Sequence, residues 1–423
     1  MDERFDVLVC GAGPAGLAAA QAAAGRGARV GLIDAQAAAG GQIWRRDVRQ
    51  SGAPVAAGII ERALLTRGVA FLAQSQVVAA GDHELLVEQP QRALRLRFGK
   101  LVIATGAREL LLPFPGWTLP GVTGAGGLQA LVKQGWPIAG QRVVVAGSGP
   151  LLLAAAATLR QHGGRVLGIH EQAPARRVWR FAAQLPRWPA RALQALALRT
   201  KLAGIPYRCG EFVLAASGDD RLRAVEIRTP AGVRHVDCDH LAIGYGLVPN
   251  VELARLLGCR LETTARHARV ATDDTQRTNL DDIYAAGEVC GIGGCAAARI
   301  EGRIAGLAAV GALRAAARTR HRHARRFGRL LTDCFTLDEH IRSLATPETV
   351  ICRCEDVTIA ALGEYRDARA AKLATRCGMG ACQGRVCGAA LAELGRFTEN
   401  GVRPPLLPTR LSSLSDPFVC KNP

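Results

Sequence analysis

The sequence predicts an α/β protein with two βαβ domains followed by a small cysteine-rich module. Two stretches, beginning at residues 5 and 142, each run from an apolar strand through a glycine-rich turn into an Ala-rich helix and a second strand. Five of the thirteen cysteines crowd between residues 352 and 387. With 423 residues, 49% of them apolar and 21% charged, the chain can bury several cores, which excludes disorder as its main state.

The first βαβ stretch has the pattern of a nucleotide-binding turn. Gly11 permits a tight turn, Gly13 lets the backbone approach a pyrophosphate, and Gly16 lets the helix pack closely on the strand. Asp34 follows 23 residues after Gly11, at the end of the second strand, where an acid binds a ribose hydroxyl. Strand, turn, helix and acid together predict a Rossmann-like dinucleotide site.

The second βαβ stretch departs from this pattern. It reads Gly147-Ser-Gly149-Pro-Leu-Leu152, so a leucine stands where a third glycine allows close helix packing. Glu171, 24 residues after Gly147, can still meet a ribose. We therefore predict a degenerate nucleotide domain and leave open whether it binds NAD(P), ATP or nothing.

Two segments of the first half resemble the flavoprotein disulfide reductase superfamily, whose members carry two dinucleotide domains. Thr105 and Gly106 lie in a strand-like segment that resembles the one by which the chain of these proteins returns to the first domain. Gly41 and Gln42 resemble the loop beside the isoalloxazine in members similar to thioredoxin reductase. The resemblance implies that these residues line a flavin site.

A third segment, residues 278–288, resembles the second flavin motif of the same superfamily. It ends in Gly287 and Glu288, and Glu288 stands where the superfamily has an aspartate that bonds the ribityl chain. Together these segments imply FAD in the first domain and a second domain inserted within the first. The implied division is 1–110 and 260–325 for the FAD domain, 111–259 for the second nucleotide domain, 326–345 for a basic linker, 346–400 for the cysteine module and 401–423 for an extended tail.

The cysteine module predicts a metal centre. Its cysteines form a CxC pair at residues 352–354 and a CxxxxC pair at 382–387, with a fifth at Cys377. Zinc sites usually have cysteine pairs separated by two to four residues, and the CxC pair does not have this spacing. An iron–sulfur cluster is held by four thiolates, which the module can supply. The module resembles the bacterioferritin-associated-ferredoxin-like (BFD-like) [2Fe–2S] domain, and this resemblance implies four ligands: Cys352, Cys354, Cys382 and Cys387. Zinc, no metal, and the place of Cys377 stay open.

A redox-active cysteine pair, which the superfamily usually carries, has one candidate before the module. Cys290 and Cys295 form a CxxxxC pair directly after Glu288. The segment around them is rich in glycine and alanine and indicates no electropositive site that would lower a thiol pKa, so we favour a packing role for both.

The order of all these parts resembles the alpha subunit of heteromeric FAD-dependent dehydrogenases. This group includes opine oxidases, D-hydroxyproline dehydrogenase, archaeal L-proline dehydrogenase and hydrogen cyanide synthase. The resemblance rests on the segments GGQIWR, ATGARE, GSGPLLLA, AAGEVCGIGG and GMGACQGRVC, and it covers nearly the whole chain. It implies an oxidoreductase subunit for CH–NH or CH–NH₂ donors that carries electrons away from an amine-oxidase-like catalytic partner. Whether the complex has a small third subunit, or an FMN at an interface between its chains, stays open.

Two other functions compete with this expectation. One is a self-contained NAD(P)H-dependent ferredoxin-type reductase, which an intact second glycine motif would favour. The other is a cofactor-free assembly subunit, which a colourless purified protein would favour. We find no catalytic acid–base pair in the sequence, which suits a subunit whose chemistry belongs to its cofactors.

The charge of the chain bears on its partners. The net charge is +18, nearly all the positive residues are arginine, and the densest run extends from Arg314 to Arg329. Nucleic-acid sites combine such charge with aromatic platforms, and aromatics are only 4% here, so we expect no nucleic-acid partner. We expect the run to be a solvated linker or a docking face. No secretory pattern or membrane span is evident, and we expect a cytoplasmic protein, with peripheral membrane association left open.

Overall fold

The computed structural model of the chain describes residues 2–49, 56–264, 266–314, 317–365, 367–397 and 401–414. Within these ranges, no helix combines the length and hydrophobicity needed to span a bilayer.

Strands and helices alternate along most of the chain. The strands are β1 (Asp2–Cys10), β2 (Val30–Ile33), β3 (Val69–Leu72), β4 (Gln76–Gly81), β5 (Glu84–Glu88), β6 (Ala93–Ile103), β7 (Ala107–Glu109), β8 (Val122–Gly124), β9 (Arg142–Gly147), β10 (Arg165–Glu171), β11 (Tyr207–Cys209), β12 (Phe212–Ser217), β13 (Ala224–Thr229), β14 (Gly232–Asp237), β15 (His240–Gly244), β16 (Leu247–Pro249), β17 (Leu261–Thr264), β18 (His267–Val270), β19 (Ile283–Ala285), β20 (Val350–Cys352) and β21 (Val357–Thr358). The α-helices are α1 (Pro14–Ala24), α2 (Ala57–Leu64), α3 (Ala125–Lys133), α4 (Leu151–Gln161), α5 (Ala175–Gln184), α6 (Pro189–Lys201), α7 (Glu252–Leu256), α8 (Gly294–Ala309), α9 (Ala317–Cys334), α10 (Glu339–Arg342), α11 (Ala368–Thr375), α12 (Cys387–Glu393) and α13 (Leu411–Leu414).

The chain divides into two compact units, and each is discontinuous. Unit 1 contains Met1–Arg108, Val248–Arg329 and Asn400–Pro423. Unit 2 contains Glu109–Leu247 and Leu330–Glu399, so the cysteine module belongs to the same unit as the second βαβ stretch. The five-part division expected from the sequence stays a prediction.

Unit 1 is built on a mixed sheet. Its strand order is β3-β2-β1-β6-β5-β4, and β19 pairs with β6. The parallel strands are β3, β2, β1, β6 and β19. Leu8 and Cys10 pack in one apolar core while Val7 and Val9 pack in another. Because successive side chains of a strand point to opposite faces, β1 is buried on both sides, as an apolar parallel strand should be.

Helices α1 and α8 of unit 1 pack backbone against backbone. A Cβ at Gly302 would overlap the carbonyl oxygen of Ala15, and one at Gly306 would overlap that of Ala19. Glycines four residues apart on α8 therefore let it approach α1, which starts at the first glycine turn. The contact between α1 and α8 therefore helps to hold the first glycine turn, which precedes α1, in position.

The C-terminal tail belongs to unit 1. Residues 401–410 form no helix or strand, and α13 follows them. The backbone N–H of Leu406 donates to the carbonyl of Val78 at 2.8 Å, and the guanidinium of Arg410 pairs with Glu88 at 3.0 Å. The described part of the tail is thus attached to the antiparallel side of the unit 1 sheet.

Unit 2 repeats the βαβ arrangement on a parallel sheet. The strand order is β11-β10-β9-β15-β8, and each neighbouring pair is parallel. Helix α4 connects β9 to β10, as the sequence predicts, and its Leu152 is fully buried. An antiparallel meander, β12-β13-β14, completes this part of the unit.

The cysteine module of unit 2 is attached through Trp117. The indole Nε1–H of Trp117 donates to the carbonyl of Val350 at 2.6 Å, directly before the first cysteines. The guanidinium of Arg353 lies 5.0 Å from the centre of the Trp117 ring and donates to the carbonyl of Thr118 at 3.3 Å. One aromatic side chain therefore supports the CxC segment by a hydrogen bond and a cation–π contact.

Candidate functional site

The first glycine turn is open on the side where a ligand would approach. Gly11 has a φ of +110°, and a Cβ there would overlap the carbonyl oxygen of Ala104. A Cβ at Gly16 would overlap the carbonyl oxygen of Gly11. At Gly13, in contrast, the nearest atom to a Cβ is the Cα of Gly41 at 3.9 Å. Gly11 and Gly16 are thus required by the fold, whereas Gly13 leaves its backbone accessible.

Asp34 closes the turn from the second strand. Its Oδ2 accepts a hydrogen bond from the N–H of Ala12 at 2.6 Å, and its Oδ1 accepts one from the N–H of Gln36 at 2.8 Å. The side chain is only half-buried, and each carboxylate oxygen can accept a second hydrogen bond. Asp34 is therefore held beside the turn with acceptor capacity left for a ribose hydroxyl.

The loop that contains Gly41 lies against the turn. Gly41 has a φ of +59°, and a Cβ there would come within 2.8 Å of the Cα of Gly13. The neighbouring Gln42 is exposed, and its Oε1 accepts a hydrogen bond from Arg45 at 2.7 Å. The structure brings Gly41 to the site and leaves Gln42 at the surface beside it.

The segment of Thr105 and Gly106 is held by one asparagine. The Thr105 hydroxyl donates to the carbonyl of Asn250 at 2.7 Å, and the Asn250 side chain donates back to the Thr105 carbonyl at 2.9 Å. The Asn250 N–H also donates to the carbonyl of Gly106. The segment is adjacent to the glycine turn through Ala104, but the Thr105 hydroxyl is engaged within the chain.

The second flavin-like motif reaches the start of α1. Gly287 has a φ of +86°, and a Cβ there would come within 2.8 Å of the Ala15 side chain. Glu288, directly after it, is half-buried. The structure thus brings residue 287 to the first turn of α1, although it is distant in the chain from the other residues of the site, which are Gly11, Gly13, Gly16, Asp34 and Gly41.

A buried ion pair lies behind this motif, and no sequence pattern predicted it. Glu301 is 1% exposed, accepts from the N–H of Gly287 at 2.9 Å and pairs with the Nε of Arg325 at 2.7 Å. Arg325 also donates to the carbonyl of Cys290 at 2.8 Å. The available signal was a single acid within a helix otherwise rich in alanine and glycine. Arg325 belongs to the basic run, whose side chains at residues 318 and 320 lie outside the described part of the chain.

Cys290 is buried beside this ion pair. Burial raises the pKa of its thiol, which disfavours the thiolate that redox exchange would need. Its partner in the CxxxxC spacing, Cys295, is partly exposed. These surroundings agree with the packing role that we favoured for Cys290.

The second glycine turn shares only its first glycine conformation with the first turn. Gly147 has a φ of +137°, and a Cβ there would overlap the carbonyl oxygen of Gly244, so this glycine is required by the fold. Gly149 has a φ of +90°, whereas the corresponding Gly13 of the first turn is extended with a φ of −76°. The second turn therefore departs from the first at its second glycine as well as at its third, which is replaced by a buried leucine.

Glu171 in unit 2 is turned into the protein. It has no exposed surface, its Oε2 accepts from the N–H of Gly149 at 2.7 Å, and its Oε1 accepts from the N–H of Ala173 at 2.8 Å. Burial raises the pKa of Glu171 to about 7. Asp34 also accepts from the first turn, from Ala12 rather than from the second glycine, but it stays half-exposed, so the two acids differ in access to a ligand.

A later segment of the chain lies across the second turn. The Ser148 hydroxyl donates to the carbonyl of Phe335 at 3.0 Å, and the Phe335 ring is 3.7 Å from the position of a Cβ on Gly149. The Gln172 side chain donates to the carbonyl of Thr336 at 3.2 Å and accepts from the N–H of Asp338 at 3.1 Å. Residues 335–338 therefore form hydrogen bonds with polar groups that border the turn.

The cysteine module places five thiols in one group. The Sγ atoms of Cys352, Cys377 and Cys387 all lie within 4.8 Å of one another, and all three residues are buried. Cys382 contacts Cys387 and Cys354 through hydrogen bonds, so the predicted ligands belong to the same group. Cys377, whose place the sequence left open, lies in its buried part.

Glycines allow this crowding of thiols. A Cβ at Gly380 would overlap the Cβ of Cys354, and one at Gly378 would lie 3.8 Å from the Sγ of Cys387. A hydrogen bond with the Cys387 thiol lowers the pKa of both Cys377 and Cys382. Every cysteine in the described part of the chain is a free thiol. The donor set fits a metal centre that takes thiolates.

Comparison with known proteins identifies the family. Residues 5–314 match the family described as pyridine nucleotide-disulphide oxidoreductase. The chain belongs to this family. Membership confirms the predicted α/β class with a Rossmann-like fold and makes the chain a flavoprotein oxidoreductase, and the cysteine group fits a small iron–sulfur domain beside it.

Relatives of this pyridine nucleotide-disulphide oxidoreductase cover nearly all of its length. The opine oxidase A chain of Agrobacterium tumefaciens, named as a subunit of that enzyme, is 31% identical over 98% of this chain and 92% of its own. The HcnB subunit of hydrogen cyanide synthase from Pseudomonas aeruginosa is 32% identical over 90% of each chain. These two relatives confirm the resemblance inferred from the motifs, and each belongs by name to a larger enzyme.

A solved structure shows the same fold. The L-proline dehydrogenase of P. horikoshii covers 98% of this chain and 80% of its own, with a TM-score of 0.69 and 22% identity. Membership of the pyridine nucleotide-disulphide oxidoreductase family implies FAD. The residues present fit this group, because a Cβ on Gly13 would have no atom of the described residues closer than the Cα of Gly41 at 3.9 Å, which leaves space beside the backbone.

Proposed function

We propose that this chain is the electron-transferring flavoprotein and iron–sulfur subunit of a heteromeric amino- or imino-acid dehydrogenase. FAD supplies two-electron chemistry when bound, and a [2Fe–2S] cluster supplies one-electron transfer. The substrate is of the D-hydroxyproline, proline or opine type, with a CH–NH or CH–NH₂ donor, and an amine-oxidase-like partner oxidises it. We assign no catalytic residue to this chain and expect the complex in the cytoplasm.

The single observation that carries this proposal is the pairing of an open flavin turn with a thiol group in one chain. Gly13 and Asp34 offer accessible backbone and acceptor oxygens for a dinucleotide. Cys352, Cys377 and Cys387 offer buried sulfur ligands. Such a chain can hold two redox groups, and the relatives named as subunits of opine oxidase and hydrogen cyanide synthase support a role within a larger enzyme.

The second glycine turn favours this function over that of a self-contained NAD(P)H reductase. A reductase must bind the pyrophosphate of the nicotinamide nucleotide against this turn. Here Phe335 lies against Gly149, and Ser148 and Gln172 are hydrogen-bonded to residues 335–338. We therefore propose that electrons do not enter from NAD(P)H at this domain, and that neither NAD(P) nor ATP binds there while this segment is in place.

Co-expression with the amine-oxidase-like chain tests the proposal. The complex should reduce a dye with D-hydroxyproline, proline or an opine, whereas the isolated chain should not turn over any of the three. In a second assay, anaerobic NADH and NADPH should leave the flavin of the isolated chain oxidised, and dithionite should reduce it as the positive control. Turnover of an amino acid without a partner, or rapid flavin reduction by NADPH, would contradict the proposal.

Flavin and metal content test the remaining alternative. The purified chain should be yellow and should contain iron and sulfide. A colourless protein without flavin or iron after anaerobic purification would favour the cofactor-free assembly role instead.

A further inference from the structure

The cysteine group of unit 2 contains more thiols than a [2Fe–2S] cluster uses. A [2Fe–2S] cluster is held by four cysteines, and the group has five. Its thiols form a continuous series of contacts, from Cys354 to Cys382, then Cys387, Cys377 and Cys352. One of the five thiols is therefore left without an iron.

The five thiols fall into a more exposed pair and a buried trio. Cys354 is exposed, Cys382 is partly exposed, and they contact each other. Cys352, Cys377 and Cys387 are buried, with every Sγ within 4.8 Å of the other two. Since a [2Fe–2S] cluster divides its four cysteines between two irons, the exposed pair suits one iron, and the trio offers three thiols for the two places on the other.

The distances within the trio allow any two of its three thiols to bind one metal, so the position of Cys387 has to come from its helix. Tetrahedral coordination at a metal–sulfur distance of about 2.3 Å places two sulfurs on one metal about 3.8 Å apart. Cys387 is within 4.8 Å of both Cys352 and Cys377, so a small adjustment brings either one to that separation. Cys387 begins helix α12, which fixes its position, whereas the other two come from separate segments.

Those two segments hold their cysteines independently. Cys352 ends strand β20, next to the carbonyl that Trp117 binds. Cys377 follows Arg376, which ends α11 in the left-handed region at a φ of +64°. Gly378 follows with a φ of +82°, so Cys377 lies on a turn that can shift without moving β20.

We propose, on the premise that the module holds a [2Fe–2S] cluster as the proposed function requires, that Cys352 and Cys377 are interchangeable ligands of the iron that Cys387 binds. The thiol that is not coordinated stays beside the cluster and donates a hydrogen bond to a bound thiolate. Hydrogen bonds to the sulfurs contribute to the reduction potential of a cluster. The fifth cysteine therefore gives the cluster a reserve ligand and a means of adjusting its potential.

Serine substitutions in the full chain test the proposal. Iron and sulfide content, visible absorption and the EPR spectrum of the dithionite-reduced protein are measured for Cys352→Ser, Cys377→Ser and the double variant, all purified anaerobically. Each single variant should keep the wild-type iron and sulfide content, with g values shifted from the wild type in at least one of them. The double variant should lose most of its iron and the EPR signal.

Two further variants complete the experiment. Cys387→Ser should lose the cluster as the double variant does, because the proposal gives Cys352 and Cys377 one shared place and Cys387 the other. A cluster that Cys352 and Cys377 hold together in Cys387→Ser would overturn the proposal. Cys209→Ser, at a partly exposed cysteine that takes no part in this group, should match the wild type in every measurement.

Loss of the cluster in either single variant would overturn the proposal. If Cys352→Ser alone loses iron, Cys377 does not replace it; if Cys377→Ser alone loses iron, Cys377 is an obligatory ligand. Both results leave the proposed function intact, since the wild type still holds its cluster. Wild-type protein with zinc in place of iron would remove the premise and contradict the proposed function as well.

Discussion

Substitution of Gly13 and Gly16 should separate flavin binding from folding in unit 1. Gly13 has φ −76° and ψ −174°, which any residue adopts, and the nearest atom to its Cβ is 3.9 Å away. Gly13→Val should therefore fold normally but place a side chain where a pyrophosphate must approach. Gly16→Ala puts a methyl group onto the Gly11 carbonyl oxygen, closer than the 3.0 Å that real Cβ atoms keep.

Gly16→Ala should lower the stability of the flavin-free protein, whereas Gly13→Val should mainly remove the stabilisation by FAD. Overpacking of a rigid contact costs about 1–3 kcal/mol, so Gly16→Ala should lower the stability of the flavin-free protein by at least that much. Gly13→Val should cost the flavin-free protein no more than about 1 kcal/mol, because Gly13 is the N-cap of α1 and valine is a poorer cap than glycine. A flavin at 100 times its dissociation constant stabilises the wild type by about 2.7 kcal/mol, and Gly13→Val should lose this gain.

Urea unfolding with and without added FAD measures both effects. Wild type should gain stability with FAD. Gly13→Val should lose at most about 1 kcal/mol without FAD and gain nothing with it, whereas Gly16→Ala should be less stable than both in either condition. The reasoning is wrong if Gly13→Val binds FAD as tightly as the wild type. It is also wrong if the flavin-free Gly13→Val protein is as unstable as Gly16→Ala.

Three further predictions concern buried groups. Glu301→Gln breaks the ion pair with Arg325 and should cost about 1–3 kcal/mol of unfolding free energy in urea, because a partly exposed arginine loses its charged partner. Burial raises the pKa of Glu171 from 4.5 to about 7, so between these pH values the folded protein keeps a proton that the unfolded chain has lost. The free energy of unfolding should therefore fall by about 3 kcal/mol as the pH rises through this window. Glu171→Gln should remove this pH dependence. Trp117→Phe leaves the carbonyl of Val350 without its indole donor and should cost about 1–3 kcal/mol in urea unfolding.

Each of these predictions has a control or a contradicting result. Glu262→Gln breaks a half-exposed pair with Arg269 and should cost less than about 1 kcal/mol, so an equal loss at Glu301 would contradict the first prediction. A wild-type stability that rises between pH 4.5 and 7 in parallel with that of Glu171→Gln would contradict the second. For the third, unchanged stability in Trp117→Phe would show that Val350 finds another donor.

The sequence was sufficient for features that depend on neighbouring residues. The turn at Gly11 lies between two adjacent elements, and its acid, Asp34, lies at the end of the next strand, so strand, helix and turn patterns locate all of them. The second turn was located in the same way. Gly287 was found only through a family resemblance, because nothing in its own segment indicates that it packs on Ala15.

Features that depend on distant packing were not predicted. Glu301 reads as an ordinary acid on a helix until its contacts with Gly287 and Arg325 are known. The position of Cys377 within the thiol group depends on the turn after α11, and spacing alone did not indicate it. In both cases the deciding partner comes from another element, and a local pattern has no information about it.

The two glycine turns show how far a motif can be interpreted. In each, an acid at the end of the second strand accepts a hydrogen bond from a backbone N–H of the turn, but from different positions: Asp34 from Ala12, between the two glycines, and Glu171 from Gly149, the second glycine. The turns differ further in a segment that begins more than 160 residues later and places Phe335 against the second turn. The turn and its acid are thus necessary for a nucleotide site, but access to them is decided elsewhere in the chain. A count of glycine motifs gives two nucleotide sites here, whereas the packing around them supports one.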